Sequence, residues 1–357
     1  MSIWSKAVIS TGNPNDVPQV YDVELGMLPS NKVLIKMLMA PINPSDKFQL
    51  ASLYPEKKDI LDFQVRDKDG NMKTISGFVG GMEGVAEVVQ IGSDSSASQA
   101  ANGELKVGDW VVPSTSGKFG TWANLVFASP EHLIALRNVE GLTPEQVGSI
   151  KVNASTSYRM LKDIVALNPG DYVIQNGANS GVGQVLIQLA KSWGYKTINV
   201  VRDRPDFAEL EAFLKNLGAD IIIKDTELDS ENTKKLISSL DNPVRLAINC
   251  IGGDPAVKMS EHLCVGGTFV TYGAMSPQPL SISAISFIFQ DLHFMGYWIA
   301  KWYNSNPKSK WVEMWDEIHQ MFKNGSLSHQ KMKALNWNSA DDLLDTESLQ
   351  ILLILKP

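Results

Sequence analysis

Cysteine is scarce in this chain, and its scarcity excludes two classes of protein. Only Cys250 and Cys264 occur among 357 residues, so there is neither the set of paired cysteines that a disulfide framework needs nor a C-x-x-C metal knuckle. The five histidines show no spacing typical of metal ligands. We therefore expect a protein of a reducing compartment whose fold does not depend on disulfides or structural metal.

Long apolar runs and basic clusters are also missing. No run of about 18 apolar residues predicts a membrane span, and the start MSIWSKAVIS is typical of a strand rather than of a targeting peptide. The formal net charge of −7, with no cluster of Lys and Arg, argues against binding to nucleic acid. With 44% hydrophobic and 20% charged residues, the chain has an ordinary globular composition, and its length favours two domains.

The first third of the chain favours short strands. Apolar and β-branched residues alternate in stretches separated by Gly, Pro and Asn, which predicts a compact β-rich domain. Two polar stretches, 57–78 and 93–104, are expected to be surface loops. The predicted strands are Trp4–Ser10, Lys32–Ala40, Gly84–Gly92 and Gly108–Ser114.

From about Lys151 the pattern changes to strands that alternate with amphipathic helices, such as Gly181–Gly194 and Phe207–Gly218. Such alternation predicts an α/β fold with a doubly wound parallel sheet covered on both faces. After Ile299 a helix within 307–325 is expected to return to the first domain. The predicted strands are Asp171–Gly177, Thr197–Val201, Asp220–Lys224, Val244–Gly252, Gly267–Gly273 and Leu292–Ile299.

A glycine-rich stretch, NGANSGVGQ, lies where one predicted strand ends and a helix begins. Gly177, Gly181 and Gly183 would let bare backbone approach a pyrophosphate, which helical N–H groups can bind. Any tight strand-to-helix connection can also require glycine, so this stretch alone is weak support. Because it opens a series of strand and helix units, it predicts dinucleotide binding.

The end of the next predicted strand, VVRDRPDF, carries the residues that distinguish the two nicotinamide cofactors. An acidic residue here binds a ribose 2′-hydroxyl, whereas arginine accommodates a 2′-phosphate. Arg202 and Arg204 flank Asp203, which they would largely neutralise, and this favours NADPH. The alternatives are Asp203 as a ribose ligand of NADH, or a solvated surface turn.

The order of a β-rich front, a dinucleotide fold and a return segment resembles the medium-chain dehydrogenase/reductase superfamily. Its zinc enzymes bind the catalytic metal through a Cys and a His and have a four-Cys structural lobe. This chain has Asn43 and Met82 at the matching positions, in INPSDKF and GGMEG, and lacks the lobe. The missing ligands predict a zinc-free protein.

Within the zinc-free branch the chain most closely resembles the mitochondrial 2-enoyl thioester reductases. Ser52 and Leu53 stand where that family tends to have Gly-Val. The pairing of RDRP with YGxMSxQP is one that quinone reductases generally lack. The motifs that carry the resemblance are PINPSDKFQLASLYP, GTWANLVF, VIQNGANSGVGQ, VVRDRPDF, LAINCIGG, TYGAMSPQPL and GYWIAKW.

The resemblance implies a Rossmann NADPH-binding domain at 153–299, with 1–152 and 300–357 forming a β-rich, GroES-like catalytic domain. It makes Tyr54 the catalytic proton donor and assigns substrate contacts to Asn43, Tyr54 and Trp298. From the residues alone, Tyr54 and Asn43 could be turn residues and Trp298 a core residue. The implied cofactor contacts are Asn153, Asn179, Ser180, Gly181, Val182, Arg202, Asp203, Arg204, Tyr272, Gly273, Ala274, Met275, Tyr297, Trp298, Ile299 and Ala300.

The implied activity is NADPH-dependent reduction of trans-2-enoyl-CoA or enoyl-acyl carrier protein in fatty acid synthesis. A tyrosine suits this reaction because a phenol stays protonated at neutral pH and can donate to the α-carbon. The alternatives are an NADPH quinone or alkenal reductase and an inactive NADPH-binding regulatory protein. The family implies a homodimer, acyl carrier protein as a further partner and a mitochondrial location, and leaves a cytoplasmic one open.

Asn43 and Met82 at the superfamily's metal positions give a first testable prediction. Reductase activity should survive exhaustive chelation, because neither side chain offers the thiolate or imidazole that zinc prefers. Elemental analysis of the purified protein should find no stoichiometric zinc. A tightly held zinc ion whose return restores activity to stripped protein would refute the prediction.

Overall fold

The computed structural model describes residues 2–13, 16–56, 58–67, 69–114 and 118–335, together with a short strand at 351–353. The chain divides into two compact units. The first comprises Met1–Lys151, Pro307–Lys323 and Lys331–Pro357, and the second comprises Val152–Asn306 and Asn324–Gln330. Parts of the predicted loop at 57–78 and of the predicted segment 300–357 fall outside the described residues. Within the described residues, no helix is long and apolar enough to cross a membrane.

The first unit is mainly antiparallel β-structure. Four strands, β1, β2, β4 and β5, close into a barrel, and a larger sheet is built around β3, which pairs with β6, β10 and β19. Val8, Ile35, Val88 and Trp122 are almost fully buried in the main core. The elements up to residue 151 are β1 (Ile3–Ser10), β2 (Gln19–Gly26), β3 (Val33–Ile42), α1 (Pro44–Leu50), β4 (Leu61–Arg66), β5 (Met72–Val79), β6 (Val85–Ile91), β7 (Gln99–Ala100), β8 (Gly103–Glu104), β9 (Trp110–Pro113), β10 (Leu125–Ala128), β11 (Leu133–Ala135) and α2 (Pro144–Val147).

Two predicted surface loops contain regular structure instead. The stretch 57–78 includes the β4–β5 hairpin, whose register runs from Leu61 opposite Gly77 to Arg66 opposite Met72. Polar or charged residues occupy most of its exposed positions, which hides the apolar alternation, although Val65 is fully buried. The stretch 93–104 contains a 3₁₀ turn and the β7–β8 pair.

The second unit contains a parallel sheet of six strands in the order β14-β13-β12-β15-β16-β17. The strand order reverses between β12 and β15, and doubly wound sheets bind ligands at the carboxyl ends of the strands beside such a reversal. Gly218 closes α5 in the left-handed conformation, φ +111°, as its position predicts. The elements are α3 (Ser155–Asp163), β12 (Tyr172–Asn176), α4 (Gly181–Ser192), β13 (Lys196–Val201), α5 (Phe207–Leu217), β14 (Ile221–Lys224), α6 (Glu231–Ser238), β15 (Val244–Asn249), α7 (Gly253–Ser260), β16 (Thr268–Thr271), α8 (Ala284–Ile288), β17 (His293–Gly296) and α9 (Ile299–Ser305).

The second unit extends beyond the predicted end at residue 299. Its α9 is tied to α3 by the Tyr303 hydroxyl, which donates to Ser155 Oγ at 2.8 Å. The segment 324–330 also belongs to it, because the backbone N–H of Ser328 donates to Gln188 Oε1 on α4 at 2.7 Å. The predicted strand Leu292–Ile299 is correspondingly shorter: β17 ends at Gly296, and Ile299 begins a helix.

The return segment of the first unit contains the predicted helix. This helix, α10 (Lys308–Lys323), buries Trp311, Trp315 and Ile318. Two short strands complete the unit, β18 (Lys333–Ala334) and β19 (Ile351–Leu353), and β19 pairs antiparallel with β3.

Candidate active site

The glycine loop connects β12 to α4 in a conformation that requires glycine. Gly177 has φ +58°, and a Cβ there would lie 2.6 Å from the Sγ of Cys250. A Cβ on Gly183 would lie 2.6 Å from the carbonyl oxygen of Ala178. Both contacts are too short for any side chain, so the loop must present bare backbone.

The first turn of α4 can bind an anion. Ser180 caps the helix by accepting from the Gly183 N–H at 3.1 Å, and the Gln184 N–H donates to the Ser180 carbonyl. The N–H groups of Gly181 and Val182 have no acceptor within the part of the chain that the structure describes. These two donors at the positive end of the helix dipole suit a pyrophosphate. The backbone of Asn179 is fixed to α4, because its carbonyl accepts a hydrogen bond from Gln184 Nε2 at 2.8 Å.

Two buried asparagines join the carboxyl ends of three neighbouring strands. The Asn176 Nδ2 at the end of β12 donates to Asn249 Oδ1 at the end of β15 at 2.7 Å, and Cys250 N–H donates to Asn176 Oδ1 at 2.8 Å. The Asn249 Oδ1 also accepts from the backbone N–H groups of Ile251 and Gly252, and its Nδ2 donates to Thr271 Oγ1 on β16. Sequence reasoning missed this pair, although each is a polar residue that ends an apolar strand.

Tyr272 lies against the glycine loop. Its hydroxyl hydrogen-bonds Cys250 and Ser180, and burial raises the pKa of Tyr272 well above its usual range, with Cys250 adding to the effect. Burial also raises the pKa of the Cys250 thiol to about 11. Both side chains are therefore neutral at physiological pH and add no negative charge beside the phosphate-binding turn.

The segment after Tyr272 completes this side of the sheet edge. Gly273 packs on Cys250, and the Met275 N–H donates to the Cys250 carbonyl at 3.0 Å. Ala274 and Met275 are exposed. The predicted contacts at 272–275 thus follow the carboxyl end of β16, as a cofactor site in this fold requires.

The charged residues after β13 are paired differently from what the sequence suggests. Asp203 binds Lys224 at 3.0 Å rather than its two arginine neighbours, and Arg204 binds Asp206. Arg202 is exposed and makes no hydrogen bond or ion pair with the described residues. Arg202 is therefore the cation most available to a 2′-phosphate. Lys224, the last residue of β14, was not among the predicted site residues.

Residues 297–300 lie where β17 gives way to α9. The Tyr297 hydroxyl is buried without a hydrogen-bond partner among the described residues, and burial, with Asp163, raises its pKa. Trp298 is 38% exposed at the N-cap of α9, which excludes the alternative that it is a core residue. Ile299 and Ala300 form the first turn of this helix.

Asn153 belongs to a π-helical turn, Ile150–Ala154, that precedes α3. It is 4% exposed, and its carbonyl accepts from the Ser157 hydroxyl at 3.0 Å. The predicted cofactor contacts within the second unit therefore consist of this turn and the segments that follow β12, β13, β16 and β17. Their individual roles stay predictions.

Tyr54 lies in the first unit, just after α1, and is partly buried. The backbone N–H groups of Leu53 and Tyr54 both donate to the carbonyl of Phe48, at 2.8 and 3.1 Å. Ser52 has φ +57°, a left-handed conformation that explains why the family tends to have glycine here. Its hydroxyl donates to the Gly12 carbonyl at 2.9 Å. The helix end thus fixes the backbone that carries Tyr54.

Asn43 and Met82, at the superfamily's metal positions, are held by buried carboxylates. Asp46 is 1% exposed and accepts from the N–H groups of Asn43 and Met82, at 2.7 and 2.9 Å. The Asn43 side chain donates to Glu83 Oε2 at 2.9 Å. Burial raises the pKa of Asp46 to about 6, opposed by the Asn43 hydrogen bond and by the charge of Lys58. Asn43 is only 3% exposed. The substrate contact expected of it stays a prediction.

Two lysines that sequence reasoning missed accompany these carboxylates. The Lys58 Nζ donates to the carbonyls of Val79 and Gly81, at 2.5 and 2.8 Å, and burial lowers its pKa to about 7 against the charge of Asp46. Lys151 is 4% exposed, and burial lowers its pKa to about 8 against the charge of Glu83. No group of three or more His, Cys, Asp or Glu among the described residues could hold a metal ion. Metal independence stays a prediction.

Known proteins resemble this chain along most of its length. Residues 181–320 match the zinc-binding dehydrogenase family model. The mitochondrial enoyl-[acyl-carrier-protein] reductase of Rattus norvegicus is 39% identical over 317 residues, which cover 89% of this chain and 78% of that protein.

Solved structures agree with this relationship. The complex of Etr1p with NADP and crotonyl-CoA has a TM-score of 0.84 at 31% identity, covering 98% of this chain and 99% of that one. The Etr1p/Etr2p heterodimer of mitochondrial 2-enoyl thioester reductase from Candida tropicalis has a TM-score of 0.83 at 31% identity, with the same coverage. A NADPH:quinone reductase-like structure from Bacillus thuringiensis, 21% identical with a TM-score of 0.76, shares the fold alone. The chain therefore belongs to the enoyl-[acyl-carrier-protein] reductase family of the medium-chain dehydrogenase/reductase superfamily.

Proposed function

We propose that this protein reduces the double bond of 2-enoyl thioesters with NADPH. The observation that carries the proposal is the backbone-fixed Tyr54 at the end of α1, in a chain of this family whose second unit has an open phosphate-binding turn. A relative at 31% identity was solved with NADP and crotonyl-CoA. The fold is also shared with quinone reductases, but those structures are more distant in sequence.

The reaction requires a hydride at the β-carbon and a proton at the α-carbon. NADPH supplies the hydride. Electron density then moves toward the thioester oxygen, and the carbanion-like α-carbon takes a proton from the Tyr54 hydroxyl. A phenol serves because it stays protonated at neutral pH yet is acidic enough to give its proton to such a carbon.

An assay of NADPH oxidation distinguishes the candidate functions. Turnover of crotonyl-CoA well above that of a quinone supports the enoyl thioester reductase. The reverse preference would favour a quinone or alkenal reductase, in which a proton donor matters little. Tight NADPH binding with no turnover of any enoyl thioester would favour an inactive regulatory protein.

The residues that bind NADPH include Arg202, because a dianionic phosphate binds most readily to a cation that is not already paired with a carboxylate. Asp203 forms an ion pair with Lys224, and Asp206 forms one with Arg204. Arg202 therefore remains available to the 2′-phosphate. Charge-assisted hydrogen bonds to a phosphate are worth roughly 1.5–3 kcal/mol each.

The change Arg202→Ala should therefore raise the Kd for NADPH by about ten- to a hundredfold while changing that for NADH little. Adding Arg204→Ala should weaken NADPH binding further. Fluorescence titration with both cofactors measures the effect. Arg245→Ala is the matched control. Arg245 lies near the amino end of β15, whereas Arg202 follows the carboxyl end of β13. An equal loss of affinity for NADPH and NADH would show that Arg202 does not recognise the 2′-phosphate.

The second prediction for this reaction concerns Tyr54. Because a positioned general acid contributes about 10²- to 10⁴-fold in rate, Tyr54→Phe should lower kcat on crotonyl-CoA by that order. NADPH affinity should change little, because Phe keeps the ring. Tyr21→Phe is the matched control, since the Tyr21 hydroxyl donates to Gln19 on the β1–β2 hairpin. If kcat of Tyr54→Phe stays within about threefold of the parent, Tyr54 is a turn residue and not the donor.

We also propose that the protein is a homodimer joined through the β17 edge of the parallel sheet. In the described residues β17 pairs with β16 alone, and α8 beside it exposes a cluster of large apolar side chains. An exposed edge strand with an apolar neighbour is suited to pairing with a second copy. The exposed residues are Ile285, Phe287, Ile288, Phe289 and Met295.

Replacing Phe289, which is 75% exposed, by Lys should convert the dimer into a monomer, because a charge would be buried unpaired in the interface. Sedimentation velocity of parent and variant measures the change. Leu236→Lys on α6 is the control for an isolated exposed apolar residue. A parent that sediments as a monomer, or a Phe289→Lys variant that stays dimeric, would contradict this interface.

Two further assignments rest on the relatives. We place the protein in mitochondrial fatty acid synthesis, since the relatives are named as mitochondrial enzymes, and we assign acyl carrier protein as a physiological carrier of its substrate. Cell fractionation with an antibody to this chain tests the location. Comparison of kcat/KM for crotonyl-CoA and crotonyl-acyl carrier protein tests the carrier.

A further inference from the structure

The first unit contains four ionisable side chains around Asn43 and Met82. Asp46 and Glu83 are each 1% exposed, Lys151 is 4% exposed, and Lys58 is partly buried. A buried carboxylate is costly unless a nearby positive charge and hydrogen bonds compensate it. Here the two carboxylates of Asp46 and Glu83 are accompanied by the two lysines.

Lys58 and Asp46 both bind the backbone of residues 79–82. Lys58 binds carbonyl oxygens there, and Asp46 binds an N–H group. The Lys58 ammonium binds the carbonyl oxygens of Val79 and Gly81, and the Asp46 carboxylate binds the N–H of Met82. Gly81 has φ +84°, and a Cβ there would overlap the side chains of Thr121 and Trp122. The stretch 79–82 therefore has a tight conformation that the lysine and the carboxylate fix together.

Lys58 also ends the segment that carries Tyr54. The near end of this segment is fixed by Phe48 and Gly12, through the hydrogen bonds of Leu53, Tyr54 and Ser52. Four residues beyond Tyr54, Lys58 fixes the far end on 79–82. The same bonds close the base of the β4–β5 hairpin, since Val79 is the last residue of β5.

We propose that Lys58 is a positioning residue for Tyr54, acting through its hydrogen bonds to the backbone of residues 79 and 81. This inference rests on the proposed function, in which Tyr54 is the proton donor. Lys58 binds the backbone carbonyls of Val79 and Gly81, its charge interacts with that of Asp46, and it acts on the reaction only through the placement of the Tyr54 segment.

A purely structural lysine and a positioning lysine have different consequences. If Lys58 only stabilises the fold, its loss lowers the melting temperature but leaves kcat of the folded fraction unchanged. If it positions Tyr54, its loss lowers kcat with NADPH affinity intact, because small misplacements of a catalytic group cost about 10²-fold. The effect should then vanish when Tyr54 has already lost its hydroxyl.

The experiment combines Lys58→Met, which keeps the unbranched side chain up to the position of Cε but removes the charged nitrogen, with Tyr54→Phe. We expect Lys58→Met to lower kcat on crotonyl-CoA about ten- to a hundredfold, with the Kd for NADPH within about twofold of the parent. The double variant should be no slower than Tyr54→Phe alone. Lys73→Met, on the exposed side of the same hairpin at β5, is the matched control and should keep the parent kcat.

Amide hydrogen exchange gives a readout that does not depend on turnover. In Lys58→Met, peptides covering 48–56 and 79–84 should exchange faster, while peptides of the parallel sheet should not. If the parent turns over no enoyl thioester, the proposed function fails, and unchanged exchange in both peptides would separately overturn the role of Lys58. If Lys58→Met does not fold, Lys58→Gln replaces it, because its shorter neutral amide also lacks the charged group that binds the two carbonyls.

Each result decides the proposal. Lower kcat, intact NADPH binding and a double variant equal to Tyr54→Phe support it, for Lys58→Met or for Lys58→Gln in its place. A kcat equal to the parent overturns it. Independent, multiplicative losses in the double variant also overturn it, since they would show that Lys58 acts on the reaction without Tyr54.

Discussion

The loops that hold the candidate site residues depend on one constraint. A buried backbone N–H beyond the end of a strand no longer has a partner strand, so it needs another hydrogen-bond acceptor. In the first unit Asp46 meets that need for Asn43 and Met82. In the second unit Asn249 does so for Ile251 and Gly252. In both places one buried side-chain acceptor fixes two backbone groups, and the positions of the functional segments follow from it.

The two units meet the constraint with different electrostatics. The second unit uses neutral amides, and its Tyr272 and Cys250 stay protonated, so neither of these side chains adds negative charge beside the phosphate-binding turn. The first unit uses a carboxylate, which binds N–H groups more strongly but must be compensated by cations. Lys58 is therefore as much a part of the Asp46 arrangement as the hydrogen bonds are.

The sequence predicts the parallel sheet well because its strands are buried on both faces and appear as continuous apolar runs. It predicts the β4–β5 hairpin badly because most positions of that hairpin are exposed, and the polar and charged residues at many of them are typical of a loop. Trp298 and Ile299 extend an apolar run, yet the chain turns into a helix after Gly296. The hydroxyl of Tyr303 in this helix bonds Ser155 of α3, a tertiary contact that the local sequence does not reveal.

The residues missed in the site share a physical cause. Lys58 is 23 residues from Gly81, and Asn176 is 73 residues from Asn249, so the role of each depends on a partner that only the fold brings near. By contrast, the glycine loop and the arginines act with their own sequence neighbours or with a ligand, and local motifs reveal them. Lys58 follows Lys57 in a charged stretch, and no local signal distinguishes it from a solvated lysine.

Cofactor choice illustrates how such distant pairing changes a local motif. Taken as a sequence, RDRP presents two cations around one acid, and the acid could serve a ribose diol as well. In the folded chain Asp203 forms an ion pair with Lys224, which lies on the next strand of the sheet. Asp206 forms an ion pair with Arg204. An aspartate already bound to a lysine is a poorer acceptor for a diol, and an arginine without a carboxylate is a better donor to a phosphate. On the proposed assignment, a preference for a 2′-phosphate would arise from Lys224 of β14 as much as from the arginines themselves.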